Sequence, residues 1–188
     1  MLLDLYIYPH PVLSRVADPV DAFDEALSKL VADMTETMYE GCGVGLAAPQ
    51  VGVSRQIFIV DTSAESEQPS LRAYINPKII LKDSPVVWNE GCLSLPGLYR
   101  DVHSFGHVVI EAQDVHGEVF REEAHELRAV AILHEYGHLQ GHVFLDRLSP
   151  IKQRLARKFW AKNSRREAQK LYGETALHCV FTDAPERT

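Results

Sequence analysis

The spacing of apolar residues predicts two helices that each bury one face. Between residues 21 and 41 an apolar position recurs every three or four residues, so a helix is expected that Asp21 caps and Gly41 ends. Its buried stripe comprises Phe23, Leu27, Leu30, Val31, Met34 and Met38. A second stripe comprises Leu127, Val130, Ala131, His134 and His138, and Gly141 stands where that helix would end.

Shorter runs rich in β-branched and aromatic residues lie between these helices and predict strands. Residues 55–61 and 72–80 are two such runs, and the polar stretch 62–70 is expected to be a loop between them. Residues 86–96 can carry a strand into a turn, and residues 107–126 are expected to form a hairpin. These segments predict a sheet whose strands are joined by short connections.

The end of the chain predicts a third helix, which begins at Ser149 and Pro150 and is followed by an irregular segment, 174–188. Helices at both ends with strands between them indicate an α+β fold. We expect antiparallel or mixed β-sheets around a central helix that carries the H-E-x-x-H pattern, with one N-terminal and one C-terminal helix. No internal repeat or linker divides the chain.

The composition predicts one compact domain, since 188 residues with 46% hydrophobic content can bury an ordinary core. Three widely spaced cysteines argue against a disulfide framework. The opening residues lack the basic start and apolar run of a signal peptide, and no stretch approaches the length of a membrane span. We therefore expect a cytoplasmic protein with no membrane partner.

Charge is concentrated at residues 151–172. This stretch carries eight basic residues and one acidic residue, a net charge of +7, so with −7 overall the remainder carries −14. The basic residues are Lys152, Arg154, Arg157, Lys158, Lys162, Arg165, Arg166 and Lys170. A polyanionic partner that contacts only this helix would explain the segregation, and a solvated helix face is the alternative.

The sequence HEYGH at residues 134–138 has the spacing of a metal site on a helix. Residues i and i+4 share a helix face, so His134 and His138 can bind one ion while Glu135 acts as a base beside it. A polar helix face remains the alternative, because two histidines do not complete a catalytic site.

A third ligand is therefore needed, and several candidates can be weighed. The continuation H-E-x-x-H-x-x-G-x-x-H fails because Phe144 stands at the last position, and His142 is too close on the same turn. The glutamates downstream are few, and Glu167 lies in the basic helix. The remaining option is a thiolate from an earlier loop, which Cys92 supplies.

Three segments together resemble the signature motifs of the peptide deformylase family: GVGLAAPQ (43–50), EGCLS (90–94) and HEYGH (134–138). The segments YPHPVLSRVADPV and DRLSPIK also resemble this family, so the likeness spans roughly residues 5–160. It implies a divalent metal held by Cys92, His134 and His138. The family works with ferrous iron, which is the ion expected in the cell, whereas zinc or nickel could occupy a purified sample.

The resemblance also implies the reaction, which is hydrolysis of the N-formyl group from the N-terminal methionine of nascent polypeptides with release of formate. Glu135 would move the proton. The oxyanion would be held by the metal, the side-chain amide of Gln50 and the backbone N–H of Leu93. The nascent chain would pair with residues 43–45 by strand addition.

By motif position, further residues are expected to border the substrate: Val44, Gly45, Glu90, Gly91, Val130 and Ala131. The resemblance divides the chain into a catalytic metallohydrolase part, 1–150, and a basic helix and tail, 151–188, within the same domain. It further implies that the basic helix docks on the ribosome by binding RNA phosphates, with no role in DNA binding.

Two positions depart from the family pattern Q-H-E-x-D-H, since Leu133 and Gly137 replace its glutamine and aspartate. Neither is a proposed ligand or base, so we expect an active enzyme with altered stability or efficiency. Two other functions stay open at this point: an H-E-x-x-H metalloprotease, and a divergent deformylase-like protein without activity.

Overall fold

The computed structural model describes residues 1–63, 70–175 and 177–181. Its strands are β1 (Leu5–Tyr6), β2 (Gly45–Ala47), β3 (Ile57–Val60), β4 (Arg72–Glu90), β5 (Arg100–Gln113), β6 (Val119–His125) and β7 (Cys179–Val180). Its α-helices are α1 (Glu25–Glu40), α2 (Glu126–Leu139) and α3 (Pro150–Tyr172). Short 3₁₀ helices lie at Pro11–Ser14, Ala48–Val51 and Phe144–Arg147.

Strands β2 to β6 form one antiparallel sheet in which neighbours in the sheet are also neighbours along the chain. This arrangement confirms the α+β class and the hairpin of residues 107–126. In contrast, the expectation that 174–188 is irregular is wrong for its described part, because β7 pairs in parallel with β1. Residues 176 and 182–188 lie outside the described residues, as does 64–69 in the expected polar loop.

Helix α1 begins one turn later than the sequence predicts. Asp24, rather than Asp21, is the N-cap, and its side chain accepts a hydrogen bond of 3.0 Å from the backbone N–H of Leu27. Gly41 ends the helix as predicted. Of the predicted stripe, Leu27, Met34 and Met38 are buried in the core beneath the sheet, while the other members are partly buried.

Strand β4 is longer than either of the two segments predicted for it, because 72–80 and the start of 86–96 form one continuous strand. Asn76 has a positive φ of 49°, and the register shifts between Ile75 and Lys78. This bulge accommodates Pro77, which has no N–H to donate to a neighbouring strand. The extended β4 carries the chain directly to the loop that contains Cys92.

Helix α2 packs on the sheet and carries the HEYGH sequence. Ala129 and Ile132 are buried against a cluster that includes Phe58, Val108 and Ile110 from the strands. The helix ends in a Schellman motif: the N–H of residue 142 bonds to the carbonyl of residue 137 at 3.0 Å, and Gly141 has a φ of +76°. The predicted helix end is thereby confirmed.

Helix α3 is packed against the rest of the molecule along one side. Its buried residues are Ala156, Trp160, Ala168 and Tyr172. The indole N–H of Trp160 donates to the carbonyl of Tyr8 at 2.7 Å. None of the helices in the described part of the chain combines the length and apolar character that a bilayer crossing needs.

Candidate functional site

Cys92, His134 and His138 come together at one point. Cys92 follows the end of β4, and both histidines project from α2. The Sγ atom of Cys92 lies 3.3 Å from Nε2 of His138, and the potential ligand atoms of all three residues lie within 4.8 Å of one another. Cys92 and His134 are 42 positions apart in the sequence. The packing of α2 on the sheet brings them together.

A carboxylate behind His134 orients its imidazole ring. Nδ1 of His134 lies 2.8 Å from Oε2 of Glu90, and Arg147 pairs with the same oxygen. Burial alone would raise the pKa of Glu90, but His134 and Arg147 outweigh it and lower that pKa. Because Glu90 occupies Nδ1, the Nε2 atom of His134 is left to face Cys92.

The pKa values of the two histidines are shifted in opposite directions. Burial lowers the pKa of His134, but hydrogen bonds to Cys92 and Glu90 outweigh burial and raise it. Burial lowers the pKa of His138, and the positive charge expected on His134 adds to this. Among the described residues, Nδ1 of His138 has no hydrogen-bond partner. Nε2 of His138 therefore faces the sulfur of Cys92, and burial disfavours the charged form of this ring.

Glu135 lies between the two histidines in α2 and is 5% exposed. Burial raises the pKa of Glu135 to about 7, with opposing contributions from His134 and Glu90. Within the described residues its Oε2 atom has no hydrogen-bond partner, and its Oε1 atom lies against the backbone of Gly45. The carboxyl group therefore faces the site without being engaged in an ion pair.

Gln50, in the 3₁₀ helix Ala48–Val51, and Leu93, in the loop after β4, border the same point. The side-chain oxygen of Gln50 accepts from the backbone N–H of Ala47 at 2.8 Å, so its amino group is turned toward Cys92 and Ser94, at 3.4 and 3.2 Å. The carbonyl of Leu93 accepts a hydrogen bond of 3.2 Å from the hydroxyl of Tyr172. The segments that carry Gln50 and Leu93 are therefore each held by a specific side-chain hydrogen bond.

A pocket of about 290 Å³ opens above these groups. The predicted residues that line it are Val44, Gly45, Gln50, Glu90, Gly91, Cys92, Leu93, Val130, Ala131, His134 and Glu135. His138 does not line it and is buried. The carboxylate of Glu90 is engaged with His134, which distinguishes it from the other residues expected to touch substrate.

Several pocket residues have no signal that local sequence reasoning could use. These are Trp88, Tyr99, Leu171 and Tyr172. Leu127 also lines the pocket, and its place on the predicted α2 stripe could have suggested it. Arg147, which pairs with Glu90, lies in the family-like segment DRLSPIK but has no spacing relation to the other site residues.

Known proteins match this sequence over most of its length. A family model described as polypeptide deformylase matches residues 2–154. A peptide deformylase from Syntrophobacter fumaroxidans is 42% identical over 161 residues, which is 86% of this chain and 95% of that protein. The chain belongs to the peptide deformylase family. The peptide deformylase from Chromobacterium violaceum is 44% identical over 170 residues, covering 90% of this chain and 99% of the relative.

Solved structures have the same fold. The crystal structure of a peptide deformylase from Legionella pneumophila matches with a TM-score of 0.82 at 36% identity, covering 90% of this chain and 99% of that one. The peptide deformylase structure from Thermus thermophilus has a TM-score of 0.81 at 34% identity, with the same coverage. The family consists of metal-dependent hydrolases that remove N-formyl groups from nascent peptides. These matches do not favour a metalloprotease or an inactive relative.

Neither departure from the family pattern lines the pocket. Leu133 packs against the apolar cluster between α2 and the sheet. At Gly137 a Cβ atom would meet nothing closer than the carbonyl oxygen of His142, at 4.0 Å. Both substitutions are therefore compatible with the observed position of His134, Glu135 and His138.

Proposed function

We propose that this chain hydrolyses the N-formyl group of N-terminal methionine in nascent polypeptides, using one divalent metal held by Cys92, His134 and His138. The observation that carries the proposal is the convergence of these three side chains, with Glu135 and Gln50 beside them, at one end of a pocket. Ferrous iron is the proposed ion in the cell, and zinc or nickel in a purified sample.

The residues fit such an ion. One thiolate and two imidazoles are a ligand set that borderline divalent metals accept, and three protein ligands leave a coordination position open for catalysis. The contact of Glu90 with Nδ1 of His134 at 2.8 Å leaves Nε2 available, and Nε2 of His138 already faces the sulfur at 3.3 Å. When bound, the ion supplies Lewis acidity that makes a water molecule lose its proton near neutral pH.

The protein's own groups would complete the reaction. Glu135 would take the proton from the attacking water and deliver it to the departing amine. The amino group of Gln50 and the backbone N–H of Leu93 would donate hydrogen bonds to the oxyanion that develops on the formyl group. The contact between Gln50 and Ala47 at 2.8 Å supports this role, since it holds the amide in one orientation.

The substrate would lie along the free edge of the sheet. Strand β2 is the terminal strand of the five-stranded sheet, and Val44 and Gly45 at its start line the pocket. An extended peptide can pair with such an edge. Val44, Val130 and Ala131 would border the methionine side chain. Gly91 would border the peptide backbone, whereas Glu90 would act indirectly by orienting His134.

The test compares formate release from formyl-Met-Ala-Ser by the wild-type protein and by Glu135→Gln, with metal content measured in both. We expect Glu135→Gln to lose about 10²–10⁴-fold in kcat while keeping its metal. Glu126→Gln, an exposed residue of the same helix, is the matched control. Equal turnover by Glu135→Gln at full metal content would contradict the role of Glu135, and cleavage of unformylated peptides would indicate a protease.

We propose further that residues 1–150 form the catalytic part around α2 as its central helix, with 151–188 as a docked basic helix and tail. The packing of α2 against β2, β3, β5 and β6 supports this arrangement. A substrate still emerging from the ribosome implies a cytoplasmic location. The free thiols of Cys42, Cys92 and Cys179 are compatible with a reducing compartment.

We also propose that α3 docks on the ribosome through its outer face. Lys158, Lys162 and Arg166 are exposed and follow one another at four-residue spacing, so they form a single stripe. Because Trp160 and Tyr172 are buried in the body of the protein, truncation of the helix would disturb more than docking. Reversing charges on the outer stripe is the sharper experiment.

Lys158→Glu with Lys162→Glu should weaken ribosome binding and reduce its dependence on salt, while formate release from a short peptide is unchanged. Lys78→Glu with Lys82→Glu changes the same charge on exposed positions of β4 and is the control. Ribosome cosedimentation at several salt concentrations gives the measurement. Equal binding by both double variants would show that α3 is not the docking surface.

A further inference from the structure

A second cluster of imidazole and carboxylate groups lies on the sheet, and none of its members lines the pocket. His107 in β5 stands directly opposite His125 in β6, and Asp83 in β4 stands opposite His107 on the other side. Glu123 precedes His125 by two residues and therefore points to the same face of β6. The register of three strands thus places these four side chains together.

The distances within this cluster suit a small cation. Nε2 of His107 lies 2.9 Å from Oε1 of Glu123, and Nε2 of His125 lies 3.8 Å from the same oxygen. In the described part of the chain, His107, Glu123 and His125 form one of two groups whose ligand atoms all lie within 4.8 Å of one another. Donor atoms around a tetrahedral zinc ion lie about 3.3 Å apart, so the ligand atoms would have to move closer together, and the exposed ring of His125 would have to turn out of its stack on His107.

Asp83 stands in the same relation to His107 as Glu90 does to His134. Its Oδ1 atom lies 2.9 Å from Nδ1 of His107, while Nε2 of the same ring faces Glu123. A carboxylate on the far nitrogen is the usual support for a histidine that binds a metal. Two imidazoles and one carboxylate also form a common zinc-binding set.

A simpler arrangement without metal is an imidazolium held between two carboxylates. The hydrogen bond to Asp83 raises the pKa of His107, burial opposes it, and Glu123 adds to the rise. This arrangement gives His125 no part beyond stacking on the ring of His107, although Nε2 of His125 lies 3.8 Å from the carboxylate oxygen that His107 contacts. The paired rings bring two nitrogen donors to the same carboxylate oxygen, which an ion pair does not require.

We infer that His107, Glu123 and His125 form a second, peripheral site for zinc, supported by Asp83 and separate from the catalytic metal. His125 is also the N-cap residue of α2. A bound ion would therefore join β5 to the junction from which the helix with His134, Glu135 and His138 begins. It would stabilise that junction and take no part in hydrolysis.

The experiment uses the full-length protein carrying its single catalytic metal, titrated with zinc chloride by isothermal titration calorimetry and by equilibrium dialysis with metal analysis. We expect one additional zinc per wild-type chain and a higher melting temperature when it binds. The double variant His107→Gln with His125→Gln should lose the additional zinc and the stabilisation while keeping the first metal and formate release. His103→Gln, an exposed histidine of the same strand, should behave as wild type.

Glu123→Gln gives an independent test, because Glu123 is exposed and its substitution leaves both histidines in place. This variant should bind the additional zinc more weakly than wild type. Cobalt titration separates the two sites by spectrum, since only the Cys92 site shows thiolate-to-metal charge transfer. The inference is overturned if the wild-type chain binds no additional zinc, or if the double variant still binds it.

Discussion

Gly45 is the position where one added methyl group should test the placement of Glu135 most directly. A Cβ atom at this position would lie 2.5 Å from Oε1 of Glu135 and 2.9 Å from its Cγ. The backbone of Gly45 is not in the left-handed region, so alanine brings no backbone strain of its own. The substitution Gly45→Ala therefore acts mainly by displacing the Glu135 carboxyl group.

The size of the displacement follows from the contact distances. An ordinary contact begins at 3.4 Å, so the Glu135 oxygen must move by about 1 Å. A displacement of this size at a catalytic group costs about 100-fold in rate, which corresponds to about 2.7 kcal/mol of activation free energy. The three heavy atoms nearest to the added methyl group all belong to Glu135, and Cys92, His134 and His138 are left unchanged, so metal content should stay at the wild-type level.

The assay is formate release from a formyl-methionyl peptide at saturating substrate, with metal content determined on the same samples. Gly106→Ala is the matched control, since Gly106 is also a strand residue and its Cβ would approach nothing closer than 3.5 Å. We expect Gly45→Ala to lose about 100-fold in kcat and Gly106→Ala to keep wild-type turnover. If Gly45→Ala turned over at the wild-type rate with full metal, Glu135 could not be the proton-transfer group in its observed position.

Three other substitutions have expected outcomes. Gly137→Ala should raise the free energy of unfolding by about 1 kcal/mol and Tm by about 2–4 °C, because the site has room for a methyl group; a lower Tm would refute this. Tyr172→Phe removes the hydrogen bond to Leu93 and should cost about 1 kcal/mol of stability and lower kcat; unchanged melting and turnover would contradict it. Burial raises the pKa of Glu122, but the hydrogen bonds and charges of Arg128, Tyr74 and Arg72 together lower it below its usual value. This stabilisation is therefore present above the unfolded-state pKa and lost as pH falls through the folded-state pKa. Glu122→Gln should therefore make acid unfolding, followed by circular dichroism, less steep, and an identical acid transition would refute the linkage.

The local spacing of apolar residues predicted α2, because a helix repeats with a regular period. The apolar stripe of α2, the spacing of His134 and His138 and the Gly141 terminus all arise within 15 residues of sequence, and each was found in the structure. The start of α1 was placed one turn too early because Asp21 and Asp24 both precede the same stripe. Which aspartate caps the helix depends on where packing begins, and a pattern of residue types does not contain that information.

Strand β4 continues through Pro77, a residue type that ordinarily interrupts a strand. Pro77 argues against a continuous strand because it removes a hydrogen-bond donor. In the structure the side chain of Asn76 anchors the bulge beside Pro77: it accepts from the N–H of Val20 at 2.8 Å and donates to the side chain of Gln113 at 2.8 Å. The continuation through residues 81–85, which the sequence did not predict, comes from pairing with residues 105–109 of β5, and residues 72–90 alone do not indicate that partner.

Long-range contacts account for the part of the site that the sequence did not reveal. Glu90 meets Arg147 across 57 positions, and Leu93 meets Tyr172 across 79. Neither distance corresponds to a helical or strand period, so no repeat in the sequence could indicate the contact. The family resemblance predicted Cys92, His134, His138 and Glu135 as a group, but the residues that contact them became visible only when the elements were packed together.

Helix α3 has one face that its local sequence predicts and another whose contacts depend on long-range packing. Its charge composition is a local property and predicted an exposed basic face, yet its inner face places Leu171 and Tyr172 in the pocket wall. The hydrogen bond from Tyr172 to Leu93 links this helix to a loop that carries a proposed oxyanion donor. The two faces can be tested separately, because a change of charge outside should affect docking alone, whereas loss of the Tyr172 hydroxyl should affect turnover on short peptides. Finding the reverse would mean that the helix does not divide its roles between its two faces.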